Sequence, residues 1–257
     1  MQNRFDVLGV GISRLNLPTA VSAIDSFLKT GDRGYICVTN VHVVVEAQDD
    51  PELKQILNDS VLTTPDGMPL VWAGRRLHKE DVGRVYGPDL MREVFRATEG
   101  TGVRHFFYGG AERVAEDLRR EMLRRFPDSE VVGVYSPPFR ELNAAEEDKL
   151  VLQLQETKPD IVWVGLGAPK QERFMAEYID RLPCKLMIGV GAAFDFYTGR
   201  VRQAPLWMQR SGLEWTFRLA QEPRRLFSRY AKTNPRFLYL LGKQALGGDS
   251  ESSGLSN

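Results

Sequence analysis

The fold is decided by residues 60–72, which read Ser-Val-Leu-Thr-Thr-Pro-Asp-Gly-Met-Pro-Leu-Val-Trp. A short apolar run ends in Thr-Thr-Pro, and a helical pattern begins at Met68, directly after Asp66 and Gly67. Pro65 favours extended backbone at the residue before it, and Gly67 permits a tight turn. We therefore predict that Asp66 lies on a strand-to-helix turn, at the edge of an α/β sheet where ligands bind. The alternative is that Asp66 only caps the following helix.

The same strand-to-helix pattern recurs along the rest of the chain. Strand-like runs cover residues 5–12, 34–40, 105–108, 130–135, 159–167 and 184–190. Helical spacing of apolar residues follows each run after a turn rich in glycine, proline or polar residues. Strand and helix alternate about six times, which predicts an α/β fold with a largely parallel sheet.

Composition excludes several classes of protein. The chain has 257 residues, 42% of them hydrophobic and 26% charged, and its formal net charge is +0. A neutral chain has no overall field to attract nucleic acid. Cys37 and Cys184 lie inside apolar runs, which indicates buried thiols in a reducing compartment rather than disulfides or a metal site. We find no signal-peptide pattern and no apolar run of ~18 residues, so we expect a cytoplasmic protein.

Polar residues and glycines follow the other predicted strands, at the edge that carries Asp66. His42, after the second strand, is a weak candidate for a base, because a lone histidine is more often a surface or core residue. Glycine turns near 109–110, 167 and 191 allow a ligand to approach the backbone and direct helix N-termini at an anion. The pair Gly9-x-Gly11 is a weak dinucleotide signal, because the third glycine of that fingerprint is absent.

Residues 201–246 differ from the rest of the chain. They contain nine Arg and Lys residues but only two Glu, together with many aromatic residues. Pro223 and Pro235 are expected to divide the segment into separate helices. Such a segment suits an anionic lipid surface or nucleic acid, or it is an ordinary helical subdomain that packs its aromatic residues on the core. Residues 247–257 are polar, and we expect a disordered tail.

Four motifs together resemble the WecG/TagA/CpsF family of bacterial glycosyltransferases. They are Pro-Asp-Gly-Met-Pro at 65–69, Gly-Leu-Gly-Ala-Pro-Lys-Gln-Glu at 165–172, Gly-Val-Gly at 189–191 with Phe194 and Asp195, and Gly-Leu-Glu-Trp at 212–215 with Arg218 and Glu222-Pro223. The resemblance runs from about residue 5 to residue 230, and several motifs in the right order make it specific. Two positions depart from the family. Val38 replaces a threonine, with Thr39 beside it, and Gln203 replaces an arginine, with Arg202 beside it.

The resemblance implies a Rossmann-like core at 1–200, with helices on both faces of the sheet, and a helical appendage at 201–246. It implies an inverting, metal-independent transfer of a sugar from a UDP-sugar to a polyprenyl-diphosphate-linked sugar, without a cofactor. The product would belong to a cell-surface polymer such as an exopolysaccharide or a teichoic-acid-like chain. The expected partners also include the anionic inner face of the plasma membrane, where the protein would be peripheral, but no nucleic acid. A homo-oligomer is left open.

The resemblance also implies roles for individual residues. Asp66 is the expected general base, because an acceptor hydroxyl must lose its proton as it attacks the anomeric carbon. The expected substrate-binding residues are Thr39, Asn40, Gly67, Arg84, Gln171 and Asp195, although a structural role in a turn is equally open for Asp195. The expected nucleotide- and diphosphate-binding residues are Gly109, Gly110, Gly167, Gly191, Arg218, Arg224 and Arg225, since the departing diphosphate needs positive charge and amide donors.

Two other classes of function remain open from the sequence. The α/β pattern also suits a nicotinamide-dependent oxidoreductase, although the missing glycine counts against it. The basic segment at 201–246 also suits a non-enzymatic adaptor for membranes or nucleic acid. An adaptor would need neither Asp66 nor the glycine turns.

Overall fold

The computed structural model describes residues 3–252, and the side chains of residues 3–246. The chain begins with an antiparallel hairpin, β1 (Arg4–Val7) and β2 (Val10–Ser13). Leu8 and Gly9 join the two strands with φ angles of 57° and 80°, the left-handed backbone of a tight hairpin turn. The prediction of one strand over 5–12 is therefore wrong, because Gly9 reverses the chain in the middle of it.

A six-stranded parallel sheet forms the centre of the molecule. Its strands are β3 (Gly34–Thr39), β4 (Leu62–Pro65), β5 (Arg104–Gly109), β6 (Glu130–Tyr135), β7 (Ile161–Gly165) and β8 (Leu186–Gly189). They lie in the order β4-β3-β8-β7-β5-β6. Because every strand is parallel to its neighbours, all six carboxyl ends lie at one edge. The α/β fold is confirmed, and the turns after β4, β3 and β8 are adjacent.

Helices connect the strands and cover both faces of the sheet. They are α1 (Leu17–Thr30), α2 (Val41–Glu46), α3 (Pro51–Asp59), α4 (Met68–Leu77), α5 (Gly87–Thr98), α6 (Val114–Arg125), α7 (Ala144–Thr157), α8 (Lys170–Tyr178) and α9 (Ala193–Tyr197). Asn143 caps α7, since Asn143 and Glu146 bond each other's backbone amides in a capping box.

Two hydrophobic clusters, one on each face, hold the sheet between the helices. Alternate residues of β5 belong to opposite clusters: Phe106 and Tyr108 to one, Phe107 to the other. All six residues of β3 are buried, as expected for a parallel strand covered on both faces. The sheet is therefore a rigid platform, and its carboxyl edge is free to carry polar turns.

Three helices follow the sheet: α10 (Leu206–Arg210), α11 (Glu214–Gln221) and α12 (Pro223–Ser252). Pro223 starts α12 as predicted, but Pro235 lies inside it, so the predicted division at Pro235 is wrong. Helix α12 packs on α2, and its Phe237 is 2% exposed within the same cluster as the hairpin. The appendage therefore shares the core of the α/β unit. The predicted tail at 247–257 falls on the last turns of α12 up to Ser252, and 253–257 lie outside the described residues.

Packing of α12 on the core predicts unequal effects for two phenylalanines of one helix. Phe237→Ala should lower the free energy of unfolding by about 3–5 kcal/mol, because it leaves a cavity in the core. Phe227→Ala should change it by less than about 0.5 kcal/mol, because Phe227 is 65% exposed. Chemical denaturation of both variants measures the difference. Equal effects would show that α12 is not part of the core.

Candidate active site

Asp66 lies where the sequence places it, at the carboxyl end of β4. Its N–H donates to the carbonyl of Thr39 on the neighbouring strand at 2.8 Å. The following residue, Gly67, is the N-cap of α4, and no side chain caps that helix. The interpretation of Asp66 as a helix cap is therefore wrong, and its carboxyl group is available for other chemistry.

Burial changes the acidity of the Asp66 carboxyl. The side chain is 19% exposed, but Oδ1 is buried and has no hydrogen-bond partner among the described residues. Burial raises the pKa of Asp66 to about 7; the charge of Arg84 opposes this increase, while Glu214 adds to it. A carboxyl group with a pKa near neutrality can take up and release a proton under ordinary conditions.

Arg84 connects the Asp66 turn to the C-terminal helices. Its Nε donates to the Asp66 carbonyl at 2.8 Å, and its Nη2 lies 3.8 Å from Asp66 Oδ1. The same nitrogen forms an ion pair with Glu214 of α11, while Nη1 donates to Gln209 of α10 at 3.2 Å. The guanidinium also lies 4.1 Å from the ring centroid of Tyr86. The Arg84 guanidinium therefore already has two acidic neighbours, Asp66 and Glu214, and the face of the Tyr86 ring.

The arginines of the appendage are placed differently from one another. Arg218 lies 5.6 Å from the ring centroid of Phe196, and its charge lowers the pKa of both Asp66 and Asp195. Burial nevertheless raises the pKa of Asp195 above its usual value, against the charges of Arg200, Arg225 and Arg218. Arg218 is thus the predicted diphosphate-binding arginine whose charge acts on Asp66.

The other two arginines lie further out. Arg225 is exposed and pairs with Glu222, which also lies 3.8 Å from Arg218. Arg224 is exposed and forms no hydrogen bond or ion pair with the side chains of residues 3–246. Its predicted role therefore gains no support from a contact in the site.

The predicted glycine positions serve two different purposes. The amide of Gly110 donates to the Gly165 carbonyl at 3.0 Å, and a Cβ on Gly109 would lie 2.6 Å from the Gly165 backbone. These glycines let β5 and β7 approach each other closely. The amide of Gly191 is also occupied, because it donates to Gln171. Gly167, with φ of 78°, has open space where a Cβ would lie, so a phosphate can approach there.

The polar residues that end β3 hold the local structure together. Thr39 is buried, and its hydroxyl donates to the Cys37 carbonyl at 3.3 Å. Asn40 caps α2, since its Oδ1 accepts from the His42 amide at 3.0 Å. Burial, with the charge of Arg229, lowers the pKa of His42 to about 4, so this ring is neutral at pH 7. Its Nε2 lies 3.4 Å from Glu46. Because the His42 ring is neutral at that pH, it does not form an ion pair with Glu46.

Several residues of the site have no role in the sequence-based prediction. Glu214 belongs to the quoted Gly-Leu-Glu-Trp motif, but its pairing with Arg84 joins residues 130 positions apart. Gln209 and Tyr86 contact Arg84 in the same way, through tertiary structure alone. Glu172 is buried and belongs to the quoted motif at 165–172, but the sequence-based prediction gives a role only to its neighbour Gln171.

Other features of the surface do not compete with this site. One cavity lies at the amino ends of β7 and β8, near Asp160 and Lys185, and another lies beyond β6, near Tyr135 and Phe139. Neither is lined by a predicted site residue. Among the described residues, no group of three His, Cys, Asp or Glu side chains is arranged to hold a metal ion. No helix within 3–252 is long and apolar enough to cross a membrane.

Comparison with known proteins agrees with the motifs. The sequence model of the "Glycosyl transferase WecG/TagA/CpsF family" matches residues 5–251. The chain is 30% identical to a Bacillus spizizenii protein named N-acetylglucosaminyldiphosphoundecaprenol N-acetyl-beta-D-mannosaminyltransferase, over 81% of this chain and 80% of that protein. Proteins of the same name from Bacillus subtilis strain 168 (28% identical; 81% of this chain, 82% of the relative) and Staphylococcus aureus strain MRSA252 (24% identical; 93% and 92%) are also similar.

The raised pKa of Asp66 predicts a specific effect on stability. The folded protein keeps a proton on Asp66 that the unfolded chain releases, so the contribution of Asp66 to wild-type stability falls as the pH rises from about 4 to about 7. Asp66→Asn should remove this contribution and be more stable than the wild type at pH 8, by on the order of 3 kcal/mol. Denaturation at pH 4.5 and pH 8 measures it. The exposed carboxylate variant Asp81→Asn is the control. An advantage of Asp66→Asn that is equal at both pH values would contradict the assignment.

Proposed function

The chain belongs to the WecG/TagA/CpsF family of glycosyl transferases, and from that premise we propose that it moves a sugar, with inversion, from a UDP-sugar to a lipid-diphosphate-linked saccharide. The named relatives suggest N-acetylmannosamine as the first donor sugar to test and a diphosphate-linked N-acetylglucosamine as the first acceptor. The product would enter a cell-surface polymer. The observation that supports the proposal best is the buried Asp66 carboxyl at the carboxyl edge of the sheet.

Asp66 is the proposed general base. An inverting transfer forms one bond from the acceptor oxygen to the anomeric carbon while the bond to the UDP oxygen breaks. The acceptor hydroxyl proton passes to a carboxylate oxygen of Asp66. The pKa of about 7 makes Asp66 a stronger base than an ordinary aspartate, yet leaves much of it ionised at neutral pH. Arg84 donates a hydrogen bond to the Asp66 carbonyl and lies near Asp66 Oδ1, so its proposed role is to position this base.

The departing UDP develops negative charge on its diphosphate. We assign Arg218 to this charge, because it lies on α11 close enough to lower the pKa of both Asp66 and Asp195. Arg225 pairs with Glu222 on the outer side and would have to exchange that partner for phosphate. Gly167 offers an open approach for the diphosphate. The proposed transfer uses these groups and no metal ion.

Replacement of the base should separate catalysis from binding. Asp66→Asn should lower the rate at which UDP is released in the presence of acceptor by about 10² or more, because Asn cannot accept the proton. UDP should still raise the melting temperature of the variant, since the proposed nucleotide contacts remain. The wild-type rate should rise with pH through about 7, as Asp66 ionises. Purified enzyme, UDP-N-acetylmannosamine and a diphosphate-linked N-acetylglucosamine acceptor provide the assay.

Two controls sharpen this test. Asp81→Asn changes an exposed carboxylate and should keep the wild-type rate. EDTA should not reduce the wild-type rate, and a strict metal requirement would contradict the arginine-based scheme. A folded Asp66→Asn enzyme with near-normal turnover would show that Asp66 is not the base.

We further propose that α12 docks on the anionic inner membrane. Phe227 and Leu238 are 65% and 68% exposed, and their separation of 11 residues, about three turns, puts them on one face. Arg224, Lys232 and Lys243 of the same helix are exposed. Exposed apolar residues beside basic ones suit a surface of anionic lipid, to which each basic residue contributes about 1 kcal/mol.

Membrane docking can be tested without removing α12. The double variant Phe227→Ser, Leu238→Ser should bind phosphatidylglycerol vesicles about tenfold more weakly than the wild type, because it loses apolar contact area. Its rate with a soluble acceptor should not change. Leu152→Ser, a residue of α7 that is 56% exposed, is the matched control. Unchanged vesicle sedimentation of the double variant would assign these residues no membrane role.

A further inference from the structure

Gln171 and Glu172, the first residues after Lys170 in α8, form a buried hydrogen-bonded chain. Gln171 is 3% exposed and Glu172 is fully buried. The Gly191 amide donates to Gln171 Oε1 at 3.0 Å, and Gln171 Nε2 donates to Glu172 Oε1 at 3.0 Å. Both ends of the Gln171 amide group are therefore engaged inside the protein.

Hydrogen-bond chemistry fixes the direction of this chain. The backbone N–H of Gly191 can only donate, so the oxygen of the Gln171 amide group must face it. The amide nitrogen must then face Glu172, and only an acceptor can satisfy it there. A carboxyl oxygen is such an acceptor, whether or not the other oxygen of Glu172 carries a proton. An apolar residue at 172 would leave Gln171 Nε2 without its acceptor, so only the bond from the Gly191 amide would still orient the Gln171 amide group.

The strand beneath makes room for this arrangement. A Cβ on Gly189, the last residue of β8, would lie 3.0 Å from Gln171 Nε2 and 2.8 Å from the Met175 side chain. The absence of a side chain at Gly189 therefore lets the Gln171 side chain pass close to the end of β8. That side chain then reaches the turn that leads into α9.

That turn sets the position of one wall of the proposed site. Gly191 has φ of 53° and precedes α9, which carries Asp195 and Phe196. Phe196 lies beneath the Arg218 guanidinium, and its ring centroid is 6.1 Å from that of Tyr86. A shift at Gly191 would therefore move the residues that contact Arg218 and Tyr86.

We propose that Glu172 is a positioning residue: it holds the Gln171 amide group in the orientation that fixes the Gly191 turn, and so the α9 wall of the transferase site. The consequence for transfer rests on the proposed function. The hydrogen-bonded chain itself does not, and it can be measured separately.

The stability cost of Glu172 supports a role beyond packing. Its Oε2 is buried and has no hydrogen-bond partner among the described residues. Burial raises the pKa of Glu172 to about 7, while the hydrogen bond from Gln171 lowers it. The ionisable groups that face it are Cys37 of β3 and Glu46 of α2, neither of which supplies positive charge. An apolar side chain of similar volume would avoid the unpaired buried oxygen but would leave Gln171 Nε2 without an acceptor, so it is Gln171, and not packing, that requires a carboxyl group here.

The experiment compares Glu172→Leu with Glu172→Gln. Leucine keeps the volume but has no acceptor, whereas glutamine keeps an acceptor oxygen. In Glu172→Leu we expect the Gly191 amide to exchange with deuterium about tenfold faster, and kcat/KM for transfer to fall about tenfold or more, without a lower Tm. Glu172→Gln should stay within about threefold of the wild type in both measurements. Glu177→Leu, an exposed residue of the same helix, is the control.

The outcomes are distinct. Unchanged exchange at Gly191 in Glu172→Leu overturns the proposal, even if transfer falls. Glutamine that behaves like leucine also overturns it, because the acceptor would not be what matters. A Tm that falls in both variants would show a purely structural role. A wild-type enzyme without transfer activity would refute the proposed function, but the Gly191 exchange rates would still decide whether the chain from Glu172 exists.

Discussion

The ion pair between Arg84 and Glu214 is the constraint on which the site depends. Arg84 belongs to the loop before α5, Glu214 starts α11, and the same guanidinium reaches the backbone and carboxyl group of Asp66. Both charged side chains are only 16% exposed, so each needs the other. Removal of one member of such a pair leaves a buried charge, at a typical cost of about 3–5 kcal/mol. The docked C-terminal helices therefore supply the partner that balances the charge of Arg84 beside Asp66.

The C-terminal helices contribute side chains to the site itself. Helix α11 supplies Glu214 and Arg218, and α12 holds α11 in place by packing Leu226 and Phe237 into the molecule. Apolar burial elsewhere thus helps to fix α11, whose Arg218 is near enough for its charge to lower the pKa of Asp66. A change in how the outer face of α12 is bound would act on the site through these helices rather than through the sheet.

The sequence predicts the sheet and the location of Asp66 because local patterns determine both. Pro65, Asp66 and Gly67 specify a strand end and a turn. In the same way, Asn143 followed three residues later by Glu146 is the local pattern of the capping box that begins α7. The sequence does not predict features that depend on contacts between residues far apart in the chain. Pro235 costs a helix interior about 3 kcal/mol, and burial of nearby Phe237 offsets such a cost, so α12 continues through it. Arg84 and Glu214 could be identified as a pair only after the chain was folded.

Burial acts in the same way on Asp66 and Glu172, but the two carboxyl groups can serve different roles. Burial raises the pKa of each carboxyl group to about 7. Asp66 is 19% exposed and lies beside Arg84, so a substrate can reach it and its ionised form has a nearby positive charge. Glu172 has no exposure, and its hydrogen-bond partner is a neutral amide. Proton transfer requires access as well as a suitable pKa, so Asp66 can act on a substrate, while Glu172 can act only through the residue that it holds.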